Sequence, residues 1–274
     1  MKRREMLAGF GFGTLGLGIG ALLGFGLTDR KAQATNASAS DADLWKYAKI
    51  DPLKAADLSY EIYPDGACMY AAVKALLTTI ADSLRVSDAF AASVVMDFPF
   101  HMMRYGRGGI GATGSTCGAF NGCAAVIGMF IKDTAKQDEM IQELCTYCEQ
   151  AELPKYKPKN DRFPAMKSSV AGSTSCHISS ARWRAAAEVS IASPERADRC
   201  RRLTSDIVIK TAELLNRYHT DRNTTFAPLM EPTASCVSCH SPQGRQADII
   251  GTGRCAACHQ QGEQHIERFR NMPR

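Results

Sequence analysis

Apolar residues recur three and four positions apart along most of the chain between residues 44 and 219, which is the period of an amphipathic helix. We predict helices over residues 67–84, 87–96, 116–131, 137–153 and 175–187. The longest helix is predicted to begin at Ser193, a capping residue followed by Pro194, and to end at about His219. Residues 44–59 share the pattern, but we expect Pro52 to interrupt it because proline has no backbone donor. No segment alternates as a strand does, so the sequence predicts an all-α fold.

Residues 1–34 have the pattern of an export signal of the twin-arginine type. Arg3 and Arg4 precede an apolar, glycine-rich run over residues 8–27, and Ala32-Gln33-Ala34 has the form of a cleavage site. An uncleaved membrane anchor is the alternative, because the run is about as long as a membrane span requires. No other segment looks long and apolar enough to span. We therefore expect a periplasmic protein with no stable membrane insertion after signal removal.

The net charge does not indicate an acidic partner. The formal charge is +5, but residues 1–34 contain five basic and two acidic residues, which leaves only +2 on the rest of the chain. No basic patch with interleaved aromatic residues is present, so we expect no binding to nucleic acid.

Two C-x-x-C-H motifs stand near the end of the chain. The first comprises Cys236, Cys239 and His240, and the second comprises Cys255, Cys258 and His259. In c-type cytochromes the two thiols of this motif attach the haem covalently and the histidine is the proximal iron ligand. A zinc ribbon also pairs C-x-x-C motifs but has no need of a histidine after both. We therefore predict two haems c on residues 220–274, a short and irregular segment.

Each haem iron also needs a distal ligand if it is to be six-coordinate. The histidines outside the two motifs are His177, His101, His219 and His265, which is the order in which we rank them as distal ligands. His177 stands first because a cysteine precedes it, and His101 second because aromatic residues and methionines surround it. Methionine ligation is an alternative.

Seven of the eleven cysteines are not needed for haem: Cys68, Cys117, Cys123, Cys145, Cys148, Cys176 and Cys200. An odd number cannot pair completely, which favours metal ligation or free thiols. Cys145 and Cys148 are three apart on a predicted helix and so face the same way. They could form half of a metal site, a redox pair, a local disulfide or two buried thiols.

Residues 104–119 are too rich in glycine for a regular helix or strand and end in Cys117-Gly118-Ala119. Such a loop lets backbone amides approach closely, as they do around the sulfur atoms of iron–sulfur sites. A phosphate-binding loop is the alternative, but the Gly-Lys-Ser/Thr of a P-loop and a preceding strand are both missing.

This loop, with Cys68 before it and Cys176 and Cys200 after it, resembles the redox-protein family named for its C, GCAxxG, C, C pattern. Cys68, Cys117, Cys176 and Cys200 match the four positions, although Cys117-Gly118 reverses two letters of the family string. Together with the haem motifs, the whole mature chain resembles the split-Soret cytochromes c. The resemblance implies a homodimer with closely packed bis-histidine haems and an iron–sulfur cluster held by the helical domain.

We therefore expect an export signal over residues 1–34, a helical iron–sulfur or redox domain over residues 35–219 and a dihaem segment over residues 220–274. The expected function is electron transfer between other redox proteins, without catalysis. One alternative is a small reductase with an open coordination position on a haem or cluster. Another is a thiol–disulfide or redox-sensing protein built around Cys145 and Cys148.

Overall fold

Six α-helices make up most of residues 45–227, which are the residues that the computed structural model describes. They are α1 (Pro52–Leu84), α2 (Ala89–Met96), α3 (Gly118–Phe130), α4 (Thr134–Gln150), α5 (Cys176–Ala187) and α6 (Pro194–Thr220), with a 3-10 helix over Phe100–Gly106. Two antiparallel two-residue strands, β1 (Glu152–Leu153) and β2 (Ser169–Val170), join the loop after α4 to the segment before α5. The all-α prediction is confirmed. The export signal and both haem motifs lie outside the described residues.

The start of α1 differs from the prediction that Pro52 interrupts a helix. Residues 45–50 are not helical, and α1 begins at Pro52. The Asp51 side chain accepts hydrogen bonds from the backbone N–H groups of Leu53 and Lys54 at 2.9 and 3.3 Å. Proline suits the first helical position, where its missing N–H would have had no partner in the helix. The prediction was wrong because Pro52 begins a helix and does not interrupt one.

A kink divides α1 into two parts just before Cys68. Pro64 lies inside the helix, and Ala67 has a φ of 63°, a backbone conformation that residues with a side chain rarely adopt. The helix predicted to start at residue 67 is therefore the second of two helical stretches that meet at this kink. This change of direction immediately precedes Cys68.

The core forms where α1 packs against α3 and α6. Its fully buried side chains include Leu76, Ile80, Ile127, Phe130 and Val208. By length and a mean hydropathy of 1.3, α1 could cross a membrane, contrary to our expectation that only the N-terminal run could do so. However, 72% of its apolar window is buried inside the protein, which is typical of the core helix of a globular domain.

Polar contacts fix α6 to α1 and to the segment before it. Near the start of α6, the Tyr60 hydroxyl donates to Asp198 Oδ1 at 2.6 Å, and further along Ser205 donates to the Ala56 carbonyl at 2.9 Å. Near its end, the Asn216 amide donates to the Ile50 carbonyl at 2.8 Å. Because α6 is held at both ends, the residues it presents at those ends have fixed positions.

Candidate metal centre

Four cysteines from four different parts of the chain line one cavity of about 270 Å³. Cys68 follows the kink in α1, Cys117 caps α3, Cys176 begins α5, and Cys200 lies in the second turn of α6. These are the four residues that we matched to the family pattern. We call this space the four-cysteine cavity.

Backbone pairing brings Cys117 and Cys176 together. The glycine-rich loop runs antiparallel to the segment before α5, with a bridge between Thr116 and Ser175. The Cys117 N–H donates to the Thr174 carbonyl at 2.8 Å, and the Cys176 N–H donates to the Ser115 carbonyl at 2.6 Å. The two helix starts that carry these cysteines are therefore joined by main-chain hydrogen bonds.

Two glycines make room for the sulfur atoms, as the composition of the loop led us to expect. Gly109 has a φ of 72°, and a Cβ atom there would lie 2.8 Å from the Cβ of Cys176. At Gly118 a Cβ atom would lie 2.6 Å from the Cys68 sulfur and would also collide with the Gly106 carbonyl. Any larger residue at either position would push a cysteine away from the cavity.

Burial dominates the electrostatics of the cavity thiols. It raises the pKa of Cys68 to about 12, with smaller contributions from Cys117 and Cys200. It also raises the pKa of Cys117, although the N–H groups of Phe120 and Ala119 point at this sulfur and favour the thiolate. Metal binding at these residues must therefore displace protons from buried thiols, which couples it to pH.

Basic side chains surround the same cavity. Arg107 is exposed at its edge, Arg196 is partly buried, and Arg199 is 1% exposed. No aspartate or glutamate lines the cavity among the described residues. Nothing in the sequence patterns indicated these arginines except that Arg199 directly precedes Cys200.

The arrangement of the four thiols favours the binding of a metal cluster over the binding of a single metal ion. Within residues 45–227, no three His, Cys, Asp or Glu side chains stand close enough together to hold a single metal ion. Yet four thiols from separate elements line one space, and thiolates are the usual ligands of iron–sulfur clusters. A cluster is held by cysteines around its edge, so this donor set fits a cluster.

Cys123, Cys145 and Cys148 do not line the four-cysteine cavity. Cys123 is buried in α3, while Cys148 is buried on α4 and Cys145 is partly exposed. Burial raises the pKa values of Cys123 and Cys145 to about 12. All seven cysteines of the described part of the chain are free thiols, so no disulfide joins Cys145 to Cys148.

The three distal-ligand candidates within the described residues have different surroundings. His101 and His177 are exposed, whereas His219 is partly buried at the end of α6. The Nε2 atom of His219 is buried and has no hydrogen-bond partner in the described part of the chain. The ring of Tyr47 stacks on the His219 ring with centroids 4.1 Å apart. His265, like both proximal histidines, lies outside the described residues.

His219 lines a second, larger cavity of about 1040 Å³, which we call the aromatic cavity. Trp45, Tyr47, Phe130 and Tyr218 also line it, together with Lys132 and other polar residues. Burial, with a smaller contribution from Arg222, lowers the pKa of His219 to about 4. The imidazole is therefore neutral, the form that binds metals, at any pH above this value.

An ionic cluster fixes the chain where it leaves α6. The Glu143 carboxylate, which is buried, accepts hydrogen bonds from Lys210 at 2.7 Å and Arg217 at 2.6 Å. It also accepts one from the Ala227 N–H at 2.7 Å. The last described residue is thus tied to α4 and α6, close in sequence to His219.

The chain resembles known proteins along nearly its whole length. A family model described as "Putative redox-active protein (C_GCAxxG_C_C)" matches residues 74–214. The split-Soret cytochrome c of Desulfovibrio desulfuricans is 30% identical over 289 aligned positions, which cover 99% of each chain.

A solved structure of the split-Soret cytochrome c from this organism, described as containing a novel iron centre, has the same fold. It superposes with a TM-score of 0.69 and 28% identity, covering 84% of this chain and 95% of that one. The chain therefore belongs to the C_GCAxxG_C_C family of redox proteins and, within it, to the family of split-Soret cytochrome c.

Proposed function

We propose that this protein transfers electrons in the periplasm, using an iron–sulfur centre in the four-cysteine cavity and two haems c on the C-terminal motifs. The main support for the proposal is that four cysteines line one cavity: Cys68, Cys117, Cys176 and Cys200. These residues come from four separate elements, so their convergence is not a local effect of sequence. The iron centre of the split-Soret relative gives independent support.

Cys117 and Cys176 are the ligands that the structure supports best, because main-chain hydrogen bonds to Thr174 and Ser115 hold the helix starts that carry them. Cys68 and Cys200 complete the set from α1 and α6. An iron–sulfur cluster supplies one-electron oxidation and reduction without a proton-transfer group. Cys123 and Cys148 then act as buried side chains of the core, Cys145 is a partly exposed thiol beside them on α4, and the odd number of thiols needs no disulfide.

His219 is the distal haem ligand that we favour over His177 and His101. Its Nε2 is buried and has no partner among the described residues, which is costly unless a ligand or metal satisfies it. The aromatic side chains around it provide the apolar surroundings that haem prefers. Cys236 with Cys239, and Cys255 with Cys258, would attach the haems, and His240 and His259 would be the proximal ligands.

We further propose that the working form is a homodimer that receives electrons from one redox protein and passes them to another. The twin-arginine pattern of residues 1–34 supports export. Haem attachment to C-x-x-C-H motifs also takes place outside the cytoplasm.

A metal count beside a visible spectrum tests the proposal. Protein purified without oxygen should contain acid-labile sulfide and more iron than its two haems account for. After reduction with dithionite it should also show the absorption bands of c-type haem. Iron that matches the haems alone, with no sulfide, would overturn the iron–sulfur part of the proposal.

Ligand binding separates an electron carrier from a reductase. A carrier whose irons are all six-coordinate should have a wholly low-spin spectrum that neither carbon monoxide nor cyanide changes. A high-spin component that binds these ligands would instead favour the reductase. Destroying both haem motifs should abolish electron transfer, and retention of full activity would favour a thiol–disulfide protein.

A further inference from the structure

Arg199 lies in the wall of the four-cysteine cavity and is almost completely buried, at 1% exposure. Its Nη2 donates to Ser179 Oγ at 2.8 Å, and its Nη1 approaches the Cys200 sulfur at 3.9 Å. Its guanidinium carbon lies 6.0 Å from the centre of the Trp183 ring. The Nε atom is buried and has no hydrogen-bond partner in the described part of the chain.

Arg202, one turn later on α6, is also a buried arginine, but ion pairs neutralise its charge. It is 2% exposed, and its Nε donates to Asp198 at 2.6 Å. Its Nη1 and Nη2 donate to the two oxygens of Asp161, with the first of these bonds at 3.1 Å. Arg202 thus has two carboxylate partners, whereas no carboxylate within residues 45–227 pairs with Arg199.

Arg199 therefore lacks the close counter-charge that Arg202 has: Asp206, on the same helix, interacts with Arg199 electrostatically but forms no ion pair with it. A buried charge is costly unless an opposite charge or several hydrogen bonds compensate it. Arg107 and Arg196 line the same space, so its other charged side chains add to the imbalance rather than relieve it. The cysteines share this cavity with Arg199, the Cys200 sulfur lies 3.9 Å from its Nη1, and they become negative as thiolate ligands of a metal centre.

We propose that Arg199 is the counter-charge of the iron–sulfur centre and raises its reduction potential. This inference rests on the proposed function, because it requires a centre in the four-cysteine cavity. Reduction adds one negative charge to the centre, so a fixed cation nearby stabilises the reduced form more than the oxidised form. Arg199 is a tuning residue and binds no iron itself.

The test is a redox titration of the whole protein, purified without oxygen and followed by electron paramagnetic resonance of the reduced centre. In Arg199→Met the equilibrium constant for one-electron reduction should fall about tenfold, which lowers the potential by about 59 mV. Arg199→Lys keeps the charge and should stay close to the wild-type potential. Arg184→Met removes the same charge from an exposed position on α5 and should change little, because solvent and salt screen it.

Sulfide content separates the possible failures. If Arg199→Met contains the normal amount of sulfide at an unchanged potential, the inference is wrong. If Arg199→Met loses its sulfide, the result for Arg199→Lys is decisive. Retention of sulfide by Arg199→Lys at the wild-type potential supports the role of charge. Loss of sulfide from both variants shows that the shape of the guanidinium matters instead, and overturns the inference. Absence of sulfide from the wild-type protein would refute the iron–sulfur part of the proposed function itself.

Discussion

The two ends of α6 present very different environments. Near its start, Cys200 and Arg199 border a small cavity lined by thiols and arginines. Near its end, His219 borders a larger cavity in which four aromatic side chains stand beside polar and charged residues, and burial keeps its imidazole neutral. Cys200 and His219 are 19 residues apart in one helix, which is about 28 Å along its axis.

This difference matches the needs of two kinds of cofactor. An iron–sulfur centre with thiolate ligands is negatively charged and gains from nearby cations and backbone N–H groups. A haem has a large apolar ring and needs a neutral imidazole at its iron. One helix, fixed to α1 near its start and to the segment before α1 near its end, can therefore hold two redox sites at a constant separation.

Replacing one cavity cysteine should have the largest effect. We expect Cys117→Ser to lose all of its acid-labile sulfide while it keeps both haems, because the serine hydroxyl is a much poorer ligand for iron. Cys145→Ser, which changes a thiol outside the cavity in the same way, should keep its sulfide. Sulfide analysis and haem absorbance measure both outcomes, and sulfide loss from Cys145→Ser alone would place the centre elsewhere.

Replacing His219 should affect only the haem site proposed at the other end of α6. His219→Leu should convert one of the two haems to a high-spin form that binds carbon monoxide, and sulfide content should not change. Tyr47→Phe keeps the ring that stacks on His219 and loses only the hydroxyl that donates to Asn216, so it should leave the spectrum unchanged. A wholly low-spin spectrum of His219→Leu would exclude this residue as a ligand.

Glu143→Gln should weaken the attachment of the chain beyond α6. The variant leaves the charges of Lys210 and Arg217 without their shared carboxylate, which should cost on the order of 3 kcal/mol of stability at neutral pH. Glu139→Gln on the same helix breaks a more exposed pair with Lys136 and should cost less than about 1 kcal/mol. Denaturant unfolding measures both, and equal costs would show that Glu143 is no anchor.

The effect of Glu143→Gln should depend on pH. Burial would raise the pKa of Glu143, but hydrogen bonds from Lys210, the Ala227 N–H and Arg217 outweigh it and hold the pKa below its usual value. The stabilisation is therefore fully present above the unfolded-state pKa of about 4.3 and is lost as the pH falls through the lower folded value. The difference between wild type and Glu143→Gln should accordingly shrink in acid.

The smallest expected effects are those of alanine substitutions at two glycines of α3. Gly118→Ala should destabilise the protein by about 1–3 kcal/mol and reduce sulfide content, because the new methyl group meets the Cys68 sulfur and the Gly106 carbonyl. A Cβ atom at Gly128 meets nothing within 4 Å, so Gly128→Ala should stabilise by up to about 1 kcal/mol through helix propensity. Thermal unfolding measures the difference, and similar effects of both substitutions would contradict the close packing at Gly118.

Local sequence patterns were sufficient for the helices but not for the sites. Hydrophobic periodicity predicted α3, α5 and α6 to within a few residues. It could not show whether Pro52 begins or breaks a helix, since that depends on capping by Asp51. The ranking of His219 below His177 and His101 used neighbours in sequence, whereas the ring that buries His219 belongs to Tyr47, 172 residues earlier.

The cysteines illustrate the same limit. Spacing alone could not separate Cys145 and Cys148 from Cys68 and Cys200 as candidate metal ligands. Two cysteines that lie three residues apart on a helix are a common arrangement in metal sites. Only the tertiary structure shows that four cysteines share a cavity and three do not. That division could be anticipated from the family pattern but not from the residues themselves.

Mössbauer spectroscopy of isotopically enriched protein tests most directly the central claim that the chain holds two kinds of iron site. We expect low-spin haem iron together with tetrahedral, sulfur-coordinated iron in the wild-type protein, and loss of only the sulfur-coordinated iron in Cys117→Ser. A wild-type spectrum with haem iron alone, or sulfur-coordinated iron that persists in Cys117→Ser, would contradict it.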